Sequence, residues 1–509
     1  MWTVADGASN RGEGKRGIAL GLAAALLYAG AYPPVERAAL AWIALVPLFL
    51  AFRRLSPLAA AAAGGVFGSA ATLAIGWWLP GMLERYFEVP RPAAWGGVLA
   101  AALLIDGLPY AALGAWSAWA ARRGRAPGAL ALGAGFVLAE WLRASGPVAN
   151  PYALLAYSQY GTAFAQLADL AGPWGIGWLV ASANAALAGL LVAEREARPR
   201  AALGLAAAAA VALAGFGYGA LRLAEPVDPS ALVRVAVVQT GIARERHGNE
   251  AARGERLEQT LALTRVAAAA GPALVFWPEH AVDFTLDDPT PERTTLLRAV
   301  DALGVDVVLG AARQGEGARW HNSVYLIGPR GLRAHSDKLR LVPFAEYGPF
   351  GPTLRASTAL FEPGVAAPLA ARAASVGAFL CGESLYPDVA RALVRDGADL
   401  LANPSIDTWL QEPAAARGLL QITAFRAIET RRAVVRATPT GYSAVIDPWG
   451  RVQALSRFGG PDLLTAEVPR STRRTPYQRS GDVACFTALA VVALHSFGAG
   501  LGRRRRGLA

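Results

Sequence analysis

The hydrophobic positions of this chain follow two regimes. Before residue 225, and again after 482, long apolar runs are separated by short polar breaks. Between those limits the apolar residues come in short β-rich runs that alternate with longer segments of helical character. A helix crossing about 30 Å of hydrocarbon needs roughly 20 apolar residues. On that criterion, spans are predicted near 17–33, 38–52, 57–80, 93–121, 127–143, 163–193 and 201–222, with an eighth at 483–502. The second and fifth are short or interrupted. No small-residue cleavage site stands out after the first run, so it reads as a span and not as a removable signal.

The middle stretch predicts an α/β domain. VRVAVVQ (233–239), ALVFWPE (273–279), VDVVLGAA (305–312), SVYLIG (323–328), RAHSDK (333–338) and SVGAFLC (375–381) read as strands, followed by others at 399–403, 433–438 and 442–447. Helices are predicted up to about 270, near 387–396 and over 413–431. Strands alternating with helices indicate sheets covered by helices. The expected organisation is a cytoplasmic tail at 1–16, a seven-span bundle at 17–224, the α/β domain at 225–482, one further span at 483–502 and a basic tail at 503–509.

Composition agrees with a membrane protein carrying one aqueous domain. Hydrophobic residues make up 54% of the 509 and charged residues 17%, with a positive mean hydropathy of +0.32, too apolar for an ordinary soluble enzyme. The net charge of +11 sits in short clusters beside the apolar runs, as topology signals do, and forms no stripe for nucleic acid. Arg11, Lys15 and Arg16 precede the first span, Arg53 and Arg54 follow the second, and Arg122, Arg123 and Arg125 follow the fourth. Arg195, Arg198 and Arg200 follow the sixth, and Arg503 to Arg506 the eighth. The intervening loops are poorer in basic residues, Arg85, Arg91 and Arg143 among them. The positive-inside rule then places both termini in the cytoplasm and the domain at 225–482 outside. Asp106 and Asp169 fall within predicted spans, where acids usually face the bundle interior. Glu140 and Arg143 are spaced to pair across one helical turn. The Pro- and Tyr-rich loop at 144–162 reads either as a plain connector or as an interfacial lip around a lipid access site.

Candidate chemistry concentrates in the aqueous domain. Two cysteines cannot build a disulfide framework. Cys485 lies in an apolar run as a small hydrophobe, whereas Cys381 ends a predicted strand among polar residues. Lys15 and Lys338 are the two lysines among 49 basic residues, so a lysine inside the domain suggests a site that needs a compact ammonium. Glu279, Lys338 and Cys381 each close a predicted strand, the edge where ligands collect in open α/β sheets. A thiol becomes a strong acyl nucleophile once a carboxylate removes its proton, and the oxyanion that follows needs a fixed cation. His280 and His321 lack a partner pattern and read as structural. No metal cluster, phosphate loop or dinucleotide fingerprint is present in the sequence, so no cofactor is expected.

Trp277-Pro278-Glu279, Asp337-Lys338-Leu339-Arg340-Leu341-Val342-Pro343-Phe344-Ala345-Glu346-Tyr347 and Cys381-Gly382-Glu383 together resemble the carbon–nitrogen hydrolase (nitrilase) superfamily. The K-x-x-L-V-P-F-x-E-Y phrase, with the apolar prefix and C-terminal span, resembles the apolipoprotein N-acyltransferase family within it. Gln239, His321-Asn322-Ser323 and Arg426-Ala427-Ile428-Glu429 agree with that resemblance. It implies an α-β-β-α sandwich, with Glu279 as base, Lys338 as oxyanion-stabilising cation and Cys381 as nucleophile. It also implies that Glu346 and Glu383 orient the lysine and the site. The implied reaction moves an acyl chain from a phospholipid, phosphatidylethanolamine being the expected donor, through a Cys381 thioester. The acceptor is the N-terminal amine of a diacylglyceryl-cysteine lipoprotein. The implied location is the bacterial inner membrane, with the catalytic domain on the periplasmic side. Two departures stand out: Gly382 replaces an expected aromatic, and Asn403-Pro404-Ser405-Ile406-Asp407-Thr408-Trp409 replaces an expected Asn-Asp-x-Trp. A membrane-tethered amidase transferring to water, a paralogue acylating another amine and a lipid-binding protein that kept the fold remain open at this point.

Overall fold

The computed structural model describes residues 6–228, 231–242, 252–317, 319–348 and 361–506, with the side chains of 6–11 and 500–506 left out. The start of the helix expected after the first strand, and the outermost parts of both tails, lie outside the described residues. The chain divides into two compact units, one formed by 1–223 with 480–509 and the other by 224–479.

The first unit is helical, and its helices depart from the expected spans in instructive ways. Four described stretches are long and apolar enough to cross a membrane: Pro57–Ile75, Arg91–Arg122, Ala163–Val192 and Arg198–Leu223. The apolar stretch Val483–Ala499 is shorter, and helix Asp6–Ala29 carries a polar first half. The span expected at 38–52 is instead a 3-10 turn, Ala38–Trp42, followed by helix Val46–Arg54, in which Pro47 occupies the first turn. Nine helical residues extend only about 14 Å. Helix Ala168–Val192 is kinked where Gly172 takes φ +63 just before Pro173, since a proline cannot donate into the preceding turn. The stretch Arg91–Arg122 contains a π-turn at Ala102–Gly107, which holds the buried Asp106.

Glu140 and Arg143 do not pair with each other as their spacing suggested. Arg143 Nη1 pairs with Asp106 Oδ1 at 3.1 Å, and the guanidinium donates to the carbonyls of Asn150, Tyr152 and Ala153. Glu140 Oε1 accepts from Leu155 N at 2.6 Å and from Tyr28 Oη at 3.2 Å. Both charges therefore serve the irregular backbone at 150–155. Non-helical backbone within an apolar bundle has no water to satisfy it, so buried side chains must do so. The loop at 144–162 is accordingly more than a connector, since Leu154 to Gln159 are buried. Asp169 faces inward as expected and takes Arg222 at 2.8 Å and Tyr218 Oη at 2.8 Å.

The second unit holds twelve described strands: β1 Leu232–Gln239, β2 Leu274–Phe276, β3 Asp306–Gln314, β4 Trp320–Gly328, β5 Gly331–Asp337, β6 Leu369–Ala370, β7 Ser375–Ala378, β8 Leu400–Pro404, β9 Val434–Ala437, β10 Ala444–Ile446, β11 Val452–Leu455 and β12 Asp462–Pro469. They form two six-stranded sheets, ordered β12-β1-β2-β3-β4-β5 and β11-β10-β9-β8-β7-β6. The inner faces meet in one apolar core, with Val233, Val235, Val237 and Phe276 from the first sheet and Val376, Leu400, Ala402 and Val435 from the second. The alternate residues Ala236, Val238 and Val275 turn outward onto helices Arg253–Ala268 and Pro291–Leu303. Helices Pro387–Arg395 and Pro413–Thr430 pack on the second sheet. Strands buried on both faces read as continuous apolar runs. The architecture is the expected α-β-β-α sandwich.

Candidate active site

The five acyl-transfer candidates come together at one end of the sandwich, from both sheets. Glu279 lies just beyond β2, because Pro278 cannot donate to the ladder. Strand β3 passes close by: Gly310 N donates to Pro278 O at 3.0 Å, and Ala281 N donates back to Gly310 O at 2.9 Å. A Cβ at Gly310 would stand 2.6 Å from Glu279 Cα, so only glycine permits this approach.

Lys338 is the first residue after β5. The residue before it is anchored firmly: Asp337 takes Arg313 at 3.0 and 2.8 Å and Ser323 Oγ at 2.7 Å. Burial works to raise the Asp337 carboxyl, but these donors hold it below its ordinary value. Lys338 N donates to Asn322 O at 2.8 Å. Its Nζ lies 2.9 Å from Glu346 Oε1 and 3.4 Å from Glu279 Oε1, with only 1% of the side chain exposed.

Cys381 belongs to the other sheet, where it opens the 3-10 turn Cys381–Leu385 after β7. Its φ is +48, an unusual conformation for a residue with a side chain. The surrounding backbone is tied down to hold it. Asn403 Nδ2 donates to Phe379 O at 2.7 Å and to Cys381 O at 3.4 Å. Asn403 in turn contacts Arg436, which pairs with Asp407 at 2.7 Å in full burial. Thus the segment 403–409, where the sequence departs from its expected pattern, forms a charged support beneath Cys381. At Gly382 an added Cβ would meet Val342 Cγ2 at 3.3 Å, so a side chain there would press on Val342.

The two further acids hold different parts of the site. Glu346 touches the lysine directly, and its Oε2 accepts from Val342 N at 2.7 Å. Glu383 acts through backbone. Its Oε1 accepts from Leu339 N at 2.8 Å and Arg340 N at 2.9 Å, while Oε2 accepts from Leu380 N at 2.7 Å. Asn322, noted in the sequence only as part of a resemblance, is the residue that sequence reasoning missed. Its Nδ2 donates to Glu279 Oε1 and to Glu346 Oε1, both at 2.7 Å. The register pairs Ser323 with Asp337, which sets Asn322 beside Lys338 across adjacent strands. The other motif residues are engaged elsewhere: Gln239 with Ser443 and Ser456, and Arg426 with Glu429 at 2.6 Å. His321 Nδ1 lies 3.0 Å from Glu362 O.

The charges are set by these contacts. Burial alone would raise the Glu279 carboxyl, but Lys338, His280, Asn322 and Cys381 together hold it below its ordinary value. Burial opposes the Lys338 ammonium, yet Glu279 and Glu346 hold it well above the usual lysine range. Burial and the Glu279 charge push the Cys381 thiol up to about 12 against the pull of Lys338. Burial also pushes Glu383 up to about 7, against Lys338 and its three N–H donors. The resting site therefore pairs a carboxylate and an ammonium with a neutral thiol. Glu279 Oε2 is buried and free of the hydrogen bonds that occupy Oε1, and the thiol is among the hydrogen-bonding groups that favour the carboxylate. Such an arrangement can take a proton from sulfur as it attacks, and can place a cation by the oxyanion.

Both parts of the chain are similar to known proteins. Residues 24–186 match the family model described as apolipoprotein N-acyltransferase N-terminal domain, and residues 234–477 match carbon–nitrogen hydrolase. The apolipoprotein N-acyltransferase of Geobacter metallireducens is 32% identical over 506 residues, covering 95% of this chain and 96% of its own. That of Gloeobacter violaceus is 31% identical, covering 96% and 94%. Among solved structures, a carbon–nitrogen hydrolase from Helicobacter pylori is 17% identical with a TM-score of 0.39, covering 49% of this chain and 92% of its own. With both parts of the chain matched and this identity sustained along nearly its whole length, the chain belongs to the apolipoprotein N-acyltransferase family.

Proposed function

We propose that this membrane protein moves an acyl chain from a phospholipid to the N-terminal amine of a diacylglyceryl-cysteine lipoprotein, through a thioester on Cys381. The single observation that carries the residue assignment is the convergence of Glu279, Lys338 and Cys381, with the carboxylate and ammonium charged and the thiol neutral. The relatives' shared name and the two matching family models support lipoprotein N-acylation as the reaction.

In the first half-reaction, Glu279 Oε2 takes the proton from Cys381 as sulfur attacks the ester carbonyl. Because the thiol sits near 12 and the carboxylate below its ordinary value, a free thiolate is not stored, and proton transfer accompanies attack. The Lys338 ammonium stabilises the oxyanion. Collapse breaks the ester bond, and the departing lysophospholipid alkoxide takes the proton back from Glu279. In the second half, the acceptor amine attacks the thioester carbonyl and gives a proton to Glu279. The thiolate leaves and recovers that proton, and the product is an amide. Glu346 holds Lys338, and Glu383 holds the two backbone segments that carry Lys338 and Cys381.

The donor is phosphatidylethanolamine, and the catalytic unit works on the periplasmic side of the bacterial inner membrane, as the distribution of basic residues suggests. A helical unit rich in apolar surface keeps the enzyme among substrates that are both lipid-anchored. The test is transfer of a labelled acyl chain from phosphatidylethanolamine vesicles to a synthetic diacylated lipopeptide. Amide product from wild type and none from Cys381→Ala supports the proposal. Free fatty acid in place of amide refutes it in favour of a hydrolase.

A further inference from the structure

Two groups share one oxygen of the catalytic carboxylate. Lys338 Nζ and Asn322 Nδ2 both lie against Glu279 Oε1, at 3.4 and 2.7 Å. The same two groups lie against Glu346 Oε1, at 2.9 and 2.7 Å. Lysine and asparagine thus bridge one pair of carboxylate oxygens from opposite sides and close a four-membered ring of alternating donors and acceptors. Glu279 Oε2 stands outside the ring, buried and without one of these donors.

We infer that Asn322 is a positioning residue of this site: its amide occupies Glu279 Oε1 and so makes Oε2 the oxygen that receives the thiol proton. Three features carry the assignment, which rests on the reading of Glu279 as base. First, the amide's orientation is fixed by charge, since reversing it would set its carbonyl oxygen against two carboxylates. Second, Asn322 is fully buried, and its own Oδ1 has no hydrogen-bond partner among the described residues. A position chosen for packing would not carry that cost; the amide is there for its two donors. Third, the backbone of Asn322 is rigid, lying in β4 opposite Ala312 of β3 and accepting from Lys338 N. Its side chain therefore cannot follow Glu279 if the carboxylate turns. With Lys338 alone on Oε1, the carboxylate could rotate about its last bond and present either oxygen to the ammonium. The second donor removes that freedom, and the proton-accepting atom is set before substrate binds.

A hydrogen bond to an ionised group also favours ionisation. The charged and titratable groups facing Glu279 are Lys338, the adjacent His280 and the Cys381 thiol, with Glu346 across the ammonium. All of these remain when Asn322 is replaced, as does Glu383, which is pushed up to about 7 and contributes alike in every variant, so a difference between variants in the acidic limb of the rate profile reports on the amide itself.

The experiment uses the full-length protein in lipid nanodiscs and compares wild type with Asn322→Ala and the isosteric Asn322→Asp. Acyl capture is read two ways from about pH 3, below the usual carboxylate range, to about pH 8: as the burst of p-nitrophenol from p-nitrophenyl butyrate, and as the acyl adduct from phosphatidylethanolamine. In Asn322→Ala the acidic limb of the burst rate should rise by about one pH unit, the worth of one hydrogen bond to a charged group. The rate at neutral pH should fall on the order of 10- to 100-fold, as for a displaced catalytic group. Asn322→Asp, which keeps the shape but adds a negative charge, should move the limb further in the same direction. Unchanged limbs in both variants, with only a smaller burst amplitude, would mean that Asn322 is merely structural and would overturn the inference. A wild-type burst without any phospholipid adduct would instead refute the proposed donor, and the burst profiles would still decide the role of Asn322.

Discussion

Glu383 accepts a hydrogen bond from the backbone N–H of Leu339 at 2.8 Å, and through it the segment that carries Lys338 is tied to the segment that carries Cys381. The other Glu383 oxygen holds Leu380, the residue before Cys381. One buried carboxylate therefore fixes the spacing between groups that come from two different sheets. Glu383→Gln replaces one acceptor oxygen by an NH₂ that would confront backbone N–H donors. Acyl capture by this variant should fall about 100-fold, the usual penalty for a displacement of about an ångström at a reacting centre. Single-turnover adduct formation followed by mass spectrometry would measure it, and a loss below threefold would contradict the role.

Gly310 should tolerate no side chain. A Cβ there would lie 2.6 Å from Glu279 Cα, so Gly310→Ala must push Glu279 or strand β3 away. The variant should bind phospholipid normally yet form the adduct at least tenfold more slowly, with an overpacking penalty of about 1–3 kcal/mol visible as a lower melting temperature. A melting temperature and adduct rate equal to those of wild type would show that the close approach has no consequence.

The pH dependence of acyl capture follows from the charges. Glu279 is held below its ordinary value, so the proposed base remains available as pH falls and is lost only when the pH passes below the usual carboxylate range. Cys381 is pushed up to about 12, so the reacting state contains a neutral thiol across the neutral range. The capture rate should therefore show no rise through pH 8–9, where an unperturbed thiol would ionise. Stopped-flow measurement of the p-nitrophenyl ester burst checks this. A tenfold rise per pH unit through that range would indicate a thiolate mechanism independent of Glu279.

In the helical unit, Arg143→Met would leave Asp106 buried at 2% exposure without its cation and would strip donors from the carbonyls of Asn150, Tyr152 and Ala153. Breaking one side of a buried pair costs about 3–5 kcal/mol. Thermal unfolding in detergent should show a clear loss of stability, smaller in the double variant Asp106→Leu/Arg143→Met than the sum of the single changes. Strict additivity would show that the two side chains are not coupled.

The sequence made the sandwich readable because its central strands are buried on both faces and therefore stand out as apolar runs, as at 233–239 and 399–403. Strand β12 was not legible. DLLTAEVP has no strong pattern, and its place is set by antiparallel pairing with β1 from the far end of the domain. The second span misled because composition registers apolar content, whereas Pro47 and the turn at Ala38–Trp42 decide the length of helix. Glu279, Lys338 and Cys381 could be singled out from strand ends and residue chemistry. The amide of Asn322 could not, since its importance lies in the register of β4 against β5, which brings it beside Lys338. Arg436 and Asp407 were equally hidden, because a buried ion pair looks like two surface residues until the fold encloses it. The helical spacing of Glu140 and Arg143 suggested a local pair, but the irregular backbone beside them had the greater need for donors and acceptors.

The account depends most on Cys381 as the residue that carries the acyl chain. Intact-mass measurement of the purified protein after incubation with phosphatidylethanolamine tests it most directly, with Cys381→Ala and Cys485→Ala alongside. The predicted result is a mass gain of one acyl chain in wild type and in Cys485→Ala, absent from Cys381→Ala and discharged by a diacylated lipopeptide. An adduct that persists in Cys381→Ala would contradict the central claim.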